Sequence, residues 1–216
     1  MRESPRIRRL RSDQRAMERL REESSIIDFT AWGEPFDRYM VRFHGLGFYR
    51  PEGTLQTQVR EHHEVAIELG ASYPRMSPEL RWKTPIFQPN ISAGGVVCLG
   101  GYGTYWVPSL NLDELCEMLW DMIRYKNFDV ESPSNRDAAL WASQQRDYHL
   151  PIDERPIRDR LAAKEATKGK ELPAVAVPLD GARQSTMSDG IMIIDAEVVE
   201  DATVAKVVDD DILFID

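Results

Sequence analysis

The apolar residues of this chain keep two different rhythms, and the switch between them limits the folds it can reach. Ile7, Leu10, Gln14, Met17 and Leu20 recur at helical spacing, which predicts an amphipathic helix from Arg6 to about Glu23 with a basic outer face. The period then drops to two. Ile27, Phe29 and Ala31 alternate with Ile26, Asp28 and Thr30, and Tyr39, Val41 and Phe43 alternate with Met40, Arg42 and His44. His63, Val65, Ile67 and Leu69 alternate in the same way with His62, Glu64, Ala66 and Glu68. Each run predicts a half-buried strand, and Leu80 to Lys83, bracketed by Pro78 and Pro85, is a fourth. Turn signals at Gly33-Glu34-Pro35 and Pro51-Glu52-Gly53 join successive strands as an antiparallel meander.

Helical spacing returns at Leu112, Leu115, Cys116, Leu119, Met122 and Ile123, with Asn111 and Glu114 set as a capping box at the start. Ser134 to about Tyr148 predicts another helix, in which Ala138, Ala139 and Ala142 suit close packing. Pro151 and Pro156 interrupt the chain beyond it, and Ile157 to Lys164 is expected to form a short extra helix. The fold class is therefore α+β: an N-terminal helix, a four-stranded antiparallel meander sheet and C-terminal helices. Residues 1–150 are expected to form the main domain and 151–164 a short helical extension. Residues 165–190, rich in Lys, Gly, Pro and Ser, read as a flexible linker, and 191–216 as an acidic-apolar tail.

Charge is unevenly spread. Arg2, Arg6, Arg8, Arg9, Arg11, Arg15, Arg19 and Arg21 crowd the first segment, while acids dominate the end and bring the net charge to −9. A basic arm can bind nucleic acid, but these arginines sit on a segment with helical apolar spacing and no interleaved aromatics, so no nucleic-acid partner is expected. No apolar run approaches the roughly 18 residues of a membrane helix, and no membrane partner is expected. Cys98 and Cys116 are the only cysteines, which fits a reducing cytoplasm better than a disulfide framework. His62, His63 and Glu64 are neighbours on a strand, so successive side chains point to opposite faces and cannot chelate together. His44 and His149 show no ligand spacing. No metal and no cofactor are expected.

The two cysteines differ in setting. Cys116 falls on the helical stripe with Leu112, Leu115 and Leu119 and reads as a buried apolar residue. Cys98 lies outside any periodic face, after the apolar stretch Ala93 to Val97 and before Gly100, Gly101 and Gly103. Glycines leave room for an extended peptide to lie against the backbone, and a reactive thiol suits such a place. The segment around it, Tyr73 to Leu110, resembles the ubiquitin-conjugating enzyme family. Tyr73-Pro74 with Pro78 matches the family's tyrosine-proline loop, and Pro89-Asn90 matches the last two residues of its His-Pro-Asn motif. Cys98 stands eight positions after Asn90, as the family's active cysteine does, and is followed by Leu99. Trp106 and Pro108 match the family's next tryptophan and proline, and the helix from Asn111 falls where the family has its own. The resemblance runs from Ile7 to about Tyr148.

This resemblance implies a carrier that takes an activated ubiquitin-like protein as a thioester on Cys98 and passes it to an acceptor amine. A thiol fits because a thioester stays reactive toward amines and exchanges readily between cysteines. Asn90 inherits either of two roles: stabilising the oxyanion of the transfer step, or holding its loop through side-chain-to-backbone bonds. Gln88 stands in place of the motif histidine and is expected to bond the loop. Gly100 replaces a common acidic residue, and Gln88, Gly100, Tyr102 and Tyr105 are expected around the groove, the tyrosines either gating it or packing on Trp106. Asp129 and Glu131 lie near the family's acceptor-positioning acid; their other reading is solvated loop acids.

The implied partners are a ubiquitin-like modifier, an activating enzyme and an acceptor protein. Arg6, Arg8, Arg9, Arg15 and Arg19 would meet the activating enzyme by electrostatic steering or simply be a solvated face. In the tail, Ile212, Leu213, Phe214 and Ile215 after three aspartates resemble motifs that add a strand to a partner's sheet edge. They would recruit the modifier or a pathway member, fold back on the domain, or pair two protomers. The altered motif and the tail mark a divergent branch, and a bacterial ubiquitin-like pathway is one such branch. Two other classes remain: a non-catalytic binding module of the same fold, which Cys98 argues against, and an unrelated thiol enzyme, which lacks a partner histidine near Cys98.

Overall fold

A computed structural model describes residues 3–99 and 106–170, with side chains described to residue 167; these residues fall within the compact unit Met1–Pro173. Helix α1 (Pro5–Glu23) is followed by strands β1 (Ile27–Gly33), β2 (Phe36–Tyr49), β3 (Gln58–Glu68) and β4 (Glu79–Trp82). Helices α2 (Leu112–Ile123), α3 (Arg136–Gln144) and α4 (Asp159–Lys170) complete the described chain. The sheet order is β1-β2-β3-β4 with every pair antiparallel, which is the expected meander. Gly100, Tyr102, Tyr105 and the tail run Ile212 to Ile215 lie outside the described residues. Among the described residues, no helix is long and apolar enough to cross a membrane.

Period two places whole rows of side chains on one face. Phe29, Val41, Val65 and Trp82 pair in a line across all four strands, and Ala31, Tyr39, Ile67 and Leu80 form a second line. These rows face α1 and α2, and Leu10, Met17, Leu20, Leu115, Leu119 and Trp120 close the core over them. Phe43 lies in it near-parallel to both Trp82 and Trp120. The strand register breaks between His44 and Gly47, where the strand backbone lies against Trp120 and Ile123 of α2. A Cβ on Gly45 would stand 2.2 Å from the Trp120 ring, so only glycine fits there. A second cluster of Phe48, Phe87, Tyr125 and Ala138, with Trp141 and Tyr148 against it, lies under α3.

α1 begins at Pro5, one residue before the predicted start: Ser4 accepts the Ile7 N–H and Pro5 occupies the first turn. Its buried stripe includes an acid that periodicity does not reveal. Asp13 is 0% exposed. Its carboxylate accepts from Arg9 Nε at 2.9 Å, Tyr73 Oη at 2.7 Å and the Leu112 N–H at 3.1 Å. Burial raises the Asp13 carboxyl, and the bonds from Tyr73 and Arg9 oppose that rise without cancelling it.

Two helices end elsewhere than the sequence predicts. α3 starts after Asn135, whose side chain accepts the Ala138 N–H, and stops at Gln144 instead of running from Ser134 to Tyr148. Tyr148 is used elsewhere: it packs against Phe48 and Trp141. α4 starts at Asp159 and continues to Lys170, past Lys164 and into the stretch read as linker. Ile157 is a buried anchor ahead of it. Arg158 bonds Glu23 and Asp113, Asp159 accepts from Ser25, and these bonds fix where the helix starts.

Replacing Asp13 with alanine leaves a half-buried guanidinium, a tyrosine hydroxyl and a helix N–H without their acceptor. The expected loss is about 3–5 kcal/mol of unfolding free energy in urea titration, with Asp13→Asn losing less. His63 gives a second test. It is fully buried, and burial, with the Arg60 guanidinium nearby, lowers its imidazole from 6.5 to about 4. The unfolded chain therefore takes up this proton near pH 6.5, while the folded chain resists until about pH 4. Stability from His63 is fully present above pH 6.5 and falls by about 3 kcal/mol as pH drops through that window. A His63→Gln variant should lose most of that slope in the same titrations.

Candidate active site

The site is built on a short hairpin whose arms end at Asn90 and Cys98. The Cys98 N–H donates to the Asn90 carbonyl at 2.9 Å, and Ile91 and Val97 form a bridge beneath it. The turn closes through Gly95 N–H to the Ser92 carbonyl, and Ser92 Oγ accepts from Val96 N–H. Gly95 holds φ +76°, and a Cβ there would lie 2.3 Å from the Trp82 carbonyl oxygen, so glycine is required. The Trp82 N–H donates to the Gly95 carbonyl at 2.7 Å, which fastens the turn to β4.

The local alternation decides what the thiol does. Val97 and Leu99 are half-buried and pack on the main core, while Cys98 between them is exposed. Cys116 is its opposite: fully buried on α2, 3.7 Å from Met17 Sδ. Burial pushes the Cys116 thiol well above the ordinary thiol range, with Asp113 and Asp13 adding to the rise, so it stays protonated. The contrast expected between the two cysteines is present.

Asn90 is tied to a second loop. Its Nδ2 donates to the Asp129 carbonyl at 3.0 Å and its Oδ1 accepts the Asp129 N–H at 2.7 Å, so one amide satisfies both backbone groups of one residue. Asp129 is 8% exposed, and its carboxylate accepts from the Glu131 and Ser132 N–H groups. It is therefore a loop-ordering acid and not a solvated one. Glu131 is exposed. Gln88 does bond its loop, accepting the Asn90 N–H at 2.5 Å, but it is fully buried where an exposed groove position was expected. Burial follows from its place between the two loops, where Nε2 reaches the Asn127 carbonyl at 3.5 Å.

Two supports were missed from the sequence, one of them without any signal. Tyr125, just past α2, holds φ +61°, and its hydroxyl donates to the Phe87 carbonyl at 2.5 Å. A tyrosine there is uncommon and gives no sequence signal. Asn135 does carry one, as a helix cap, and its N–H donates to the Pro89 carbonyl at 2.8 Å. On the other side, Trp106 is half-buried, with Nε1 donating to the Pro74 carbonyl at 2.9 Å and its ring 5.6 Å from Tyr73.

The arginines of α1 divide into two groups. Arg9 donates to Asp13, Tyr73 and the carbonyls of Pro108 and Leu110, and Arg6 donates to the Leu69 and Gly70 carbonyls. Both are used inside the fold, because their positions face the loops that flank α1. Arg8, Arg15 and Arg19 are exposed.

A family model described as ubiquitin-conjugating enzyme matches residues 46–155. Among curated proteins, the chain is 36% identical over 73 residues to a NEDD8-conjugating enzyme Ubc12 of Arabidopsis thaliana, covering 34% of this chain and 39% of that one. It is 31% identical over 74 residues, with the same coverage, to a probable NEDD8-conjugating enzyme Ubc12-like of the same plant. The match thus spans 39% of the length of either relative. Among solved structures it is similar to a putative ubiquitin conjugating enzyme from Plasmodium yoelii, at 23% identity and TM-score 0.47, covering 67% of this chain and 88% of that one. With the family match extending from β2 through the Asn90–Cys98 hairpin and past α3, the chain belongs to the ubiquitin-conjugating enzyme family.

Proposed function

We propose that this chain accepts a ubiquitin-like protein from an activating enzyme as a thioester on Cys98 and passes it to an acceptor amine. The observation that carries the reading is an exposed cysteine whose backbone N–H ties it to the Asn90 carbonyl, against a second cysteine sealed in the core. In charging, the Cys98 thiolate attacks the carbonyl of the incoming thioester; a new C–S bond forms as the old one breaks and the activating enzyme's thiolate leaves. In transfer, a neutral amine attacks that carbonyl, the C–N bond forms, the C–S bond breaks, and Cys98 departs as a thiolate that takes up the proton the amine gives off.

Asn90 acts here chiefly as a positioning residue. Its oxygen and one N–H are spent on the Asp129 backbone, which leaves the second N–H of the amide for an oxyanion. Since the Asp129 carboxylate orders its loop, the acceptor-positioning role falls to exposed Glu131. Arg8, Arg15 and Arg19 offer the activating enzyme a basic face. Two relatives are named for NEDD8 conjugation, so NEDD8 and ubiquitin are the first modifiers to assay. A reducing cytoplasm suits such a thiol carrier.

The decisive experiment mixes the chain with modifier, activating enzyme and ATP and reads a non-reducing gel. A thiol-sensitive band of higher mass should appear, vanish in Cys98→Ala and persist in Cys116→Ala; a band that persists in Cys98→Ala ends the proposal. Asn90→Ala strands the buried Asp129 N–H and carbonyl, so it should lower stability by about 2–4 kcal/mol in denaturant titration. It should also slow discharge to an amine more than it slows charging, as single-turnover chase would measure.

A further inference from the structure

Beside the Asn90–Cys98 hairpin lies a cleft of about 640 Å³, lined among others by Tyr49, Arg50, Lys83, Phe87, Gly95 and Asn135. Its cations are unusual for this protein. Arg50 is half-buried, with its guanidinium carbon 3.9 Å from the Phe87 ring centroid. Its only hydrogen bond among the described residues is to Thr57 Oγ1 at 3.5 Å, and its buried Nε has no acceptor. Arg60 does not line the cleft but lies behind two residues that do: half-buried, it lies over Tyr49 at 5.1 Å and reaches the Pro85 carbonyl, and it likewise leaves Nε without an acceptor among the described residues.

Other buried or half-buried arginines among the described residues have counter-charges. Arg6, Arg9, Arg42, Arg124 and Arg158 each have a carboxylate within 4.0 Å. Among the described residues, Arg50 and Arg60 have none, and exposed Lys83 has none. Exposed Glu52 also lines the cleft, and among the described residues it pairs with none of them. Stacking on an aromatic face accounts for the stems of these arginines, but it leaves the forks of two partly desolvated cations without the planar anion they are shaped to hold.

We infer that this cleft receives an acidic segment of the acceptor protein, its Asp or Glu carboxylates pairing with Arg50 and Lys83 and reinforced by Arg60. The inference rests on the carrier reading above and names a feature of its acceptor. Geometry selects the acceptor over other partners. The turn that lines the cleft at Gly95 lies three residues from Cys98, about 10 Å along an extended arm, so whatever fills the cleft lies next to the amine being modified. An extended peptide covers that distance, plus a lysine side chain, in about three to six residues. Acids at that spacing from the modified lysine are what the site would select.

Binding can be measured without any chemistry. The full chain carrying Cys98→Ala is titrated at low salt against a fluorescein-labelled peptide that has a lysine followed four residues later by three glutamates, and against the same peptide with glutamines. Anisotropy should show the glutamate peptide binding about 10-fold tighter or more. Arg50→Gln and Lys83→Glu should each remove that advantage, Lys83 being exposed and safe for folding. A paired Arg15→Gln, Arg19→Gln change on α1 should leave it intact. Equal affinity for the two peptides, or an advantage that disappears with the α1 pair and survives Lys83→Glu, overturns the inference. A Lys83→Glu defect confined to charging, with peptide binding unchanged, assigns the cleft to the activating enzyme and also overturns it. Charging on Cys98 is scored separately, so either reading can fail while the other stands.

Discussion

The Asp13 carboxylate is the interaction on which the rest of this molecule depends. A buried acid is costly unless every lone pair finds a donor, and here the donors come from three separate parts of the chain: Arg9 on the same helix, Tyr73 on the loop before β4, and the first N–H of α2. The last is a helix N-terminus, where a negative group also meets a favourable dipole. Arg9, oriented by the acid, then holds the carbonyls of Pro108 and Leu110. One side chain therefore sets the distance between α1, α2 and the segment that returns from the cysteine.

The far side of the site is organised by amides instead of charge. Gln88 holds the Asn90 N–H, Asn90 holds the Asp129 backbone, and the Asp129 carboxylate holds the N–H groups of Glu131 and Ser132. Each member lends its polar atoms to the backbone of these loops, so the two loops are ordered jointly. A Gln in place of the motif histidine suits this arrangement, since an amide accepts at one end and donates at the other with no dependence on protonation. The charged node thus holds the segment Pro108–Leu110 that follows the cysteine, and the amide chain holds the arm at Asn90 that precedes it.

Much of the fold was legible because burial here follows chain periodicity. His63, Val65, Ile67 and Leu69 all face inward, as their alternation predicts, and α2 starts behind Asn111 with Glu114 accepting its N–H. The contrast between Cys98 and Cys116 was legible for the same reason. The illegible features depend on partners far away in sequence. Asp13 looks like a solvated helix acid until Tyr73 and Leu112 arrive beside it. Arg9 looks like part of a basic face until its fork closes on residues about a hundred positions later. α3 ends early because Tyr148 is drawn under Phe48, and no local pattern announces that. Arg50 and Arg60 stand out only by comparison with the counter-charges that other inward-lying arginines have.

The alternation of Val97, Cys98 and Leu99 has a consequence for how such a chain can vary. Between Asn90 and Cys98 the backbone works as a parity counter: each added or deleted residue exchanges inside for outside along the rest of that arm, through Leu99. A single-residue insertion there would turn the sulfur into the packed interior and expel an aliphatic neighbour to water, even with the cysteine itself retained. Length changes in this interval are tolerable only in pairs, or at the turn where a bulge can absorb the odd residue. The spacing to the asparagine is thus a mechanical requirement of the hairpin, independent of whatever chemistry the sulfur performs.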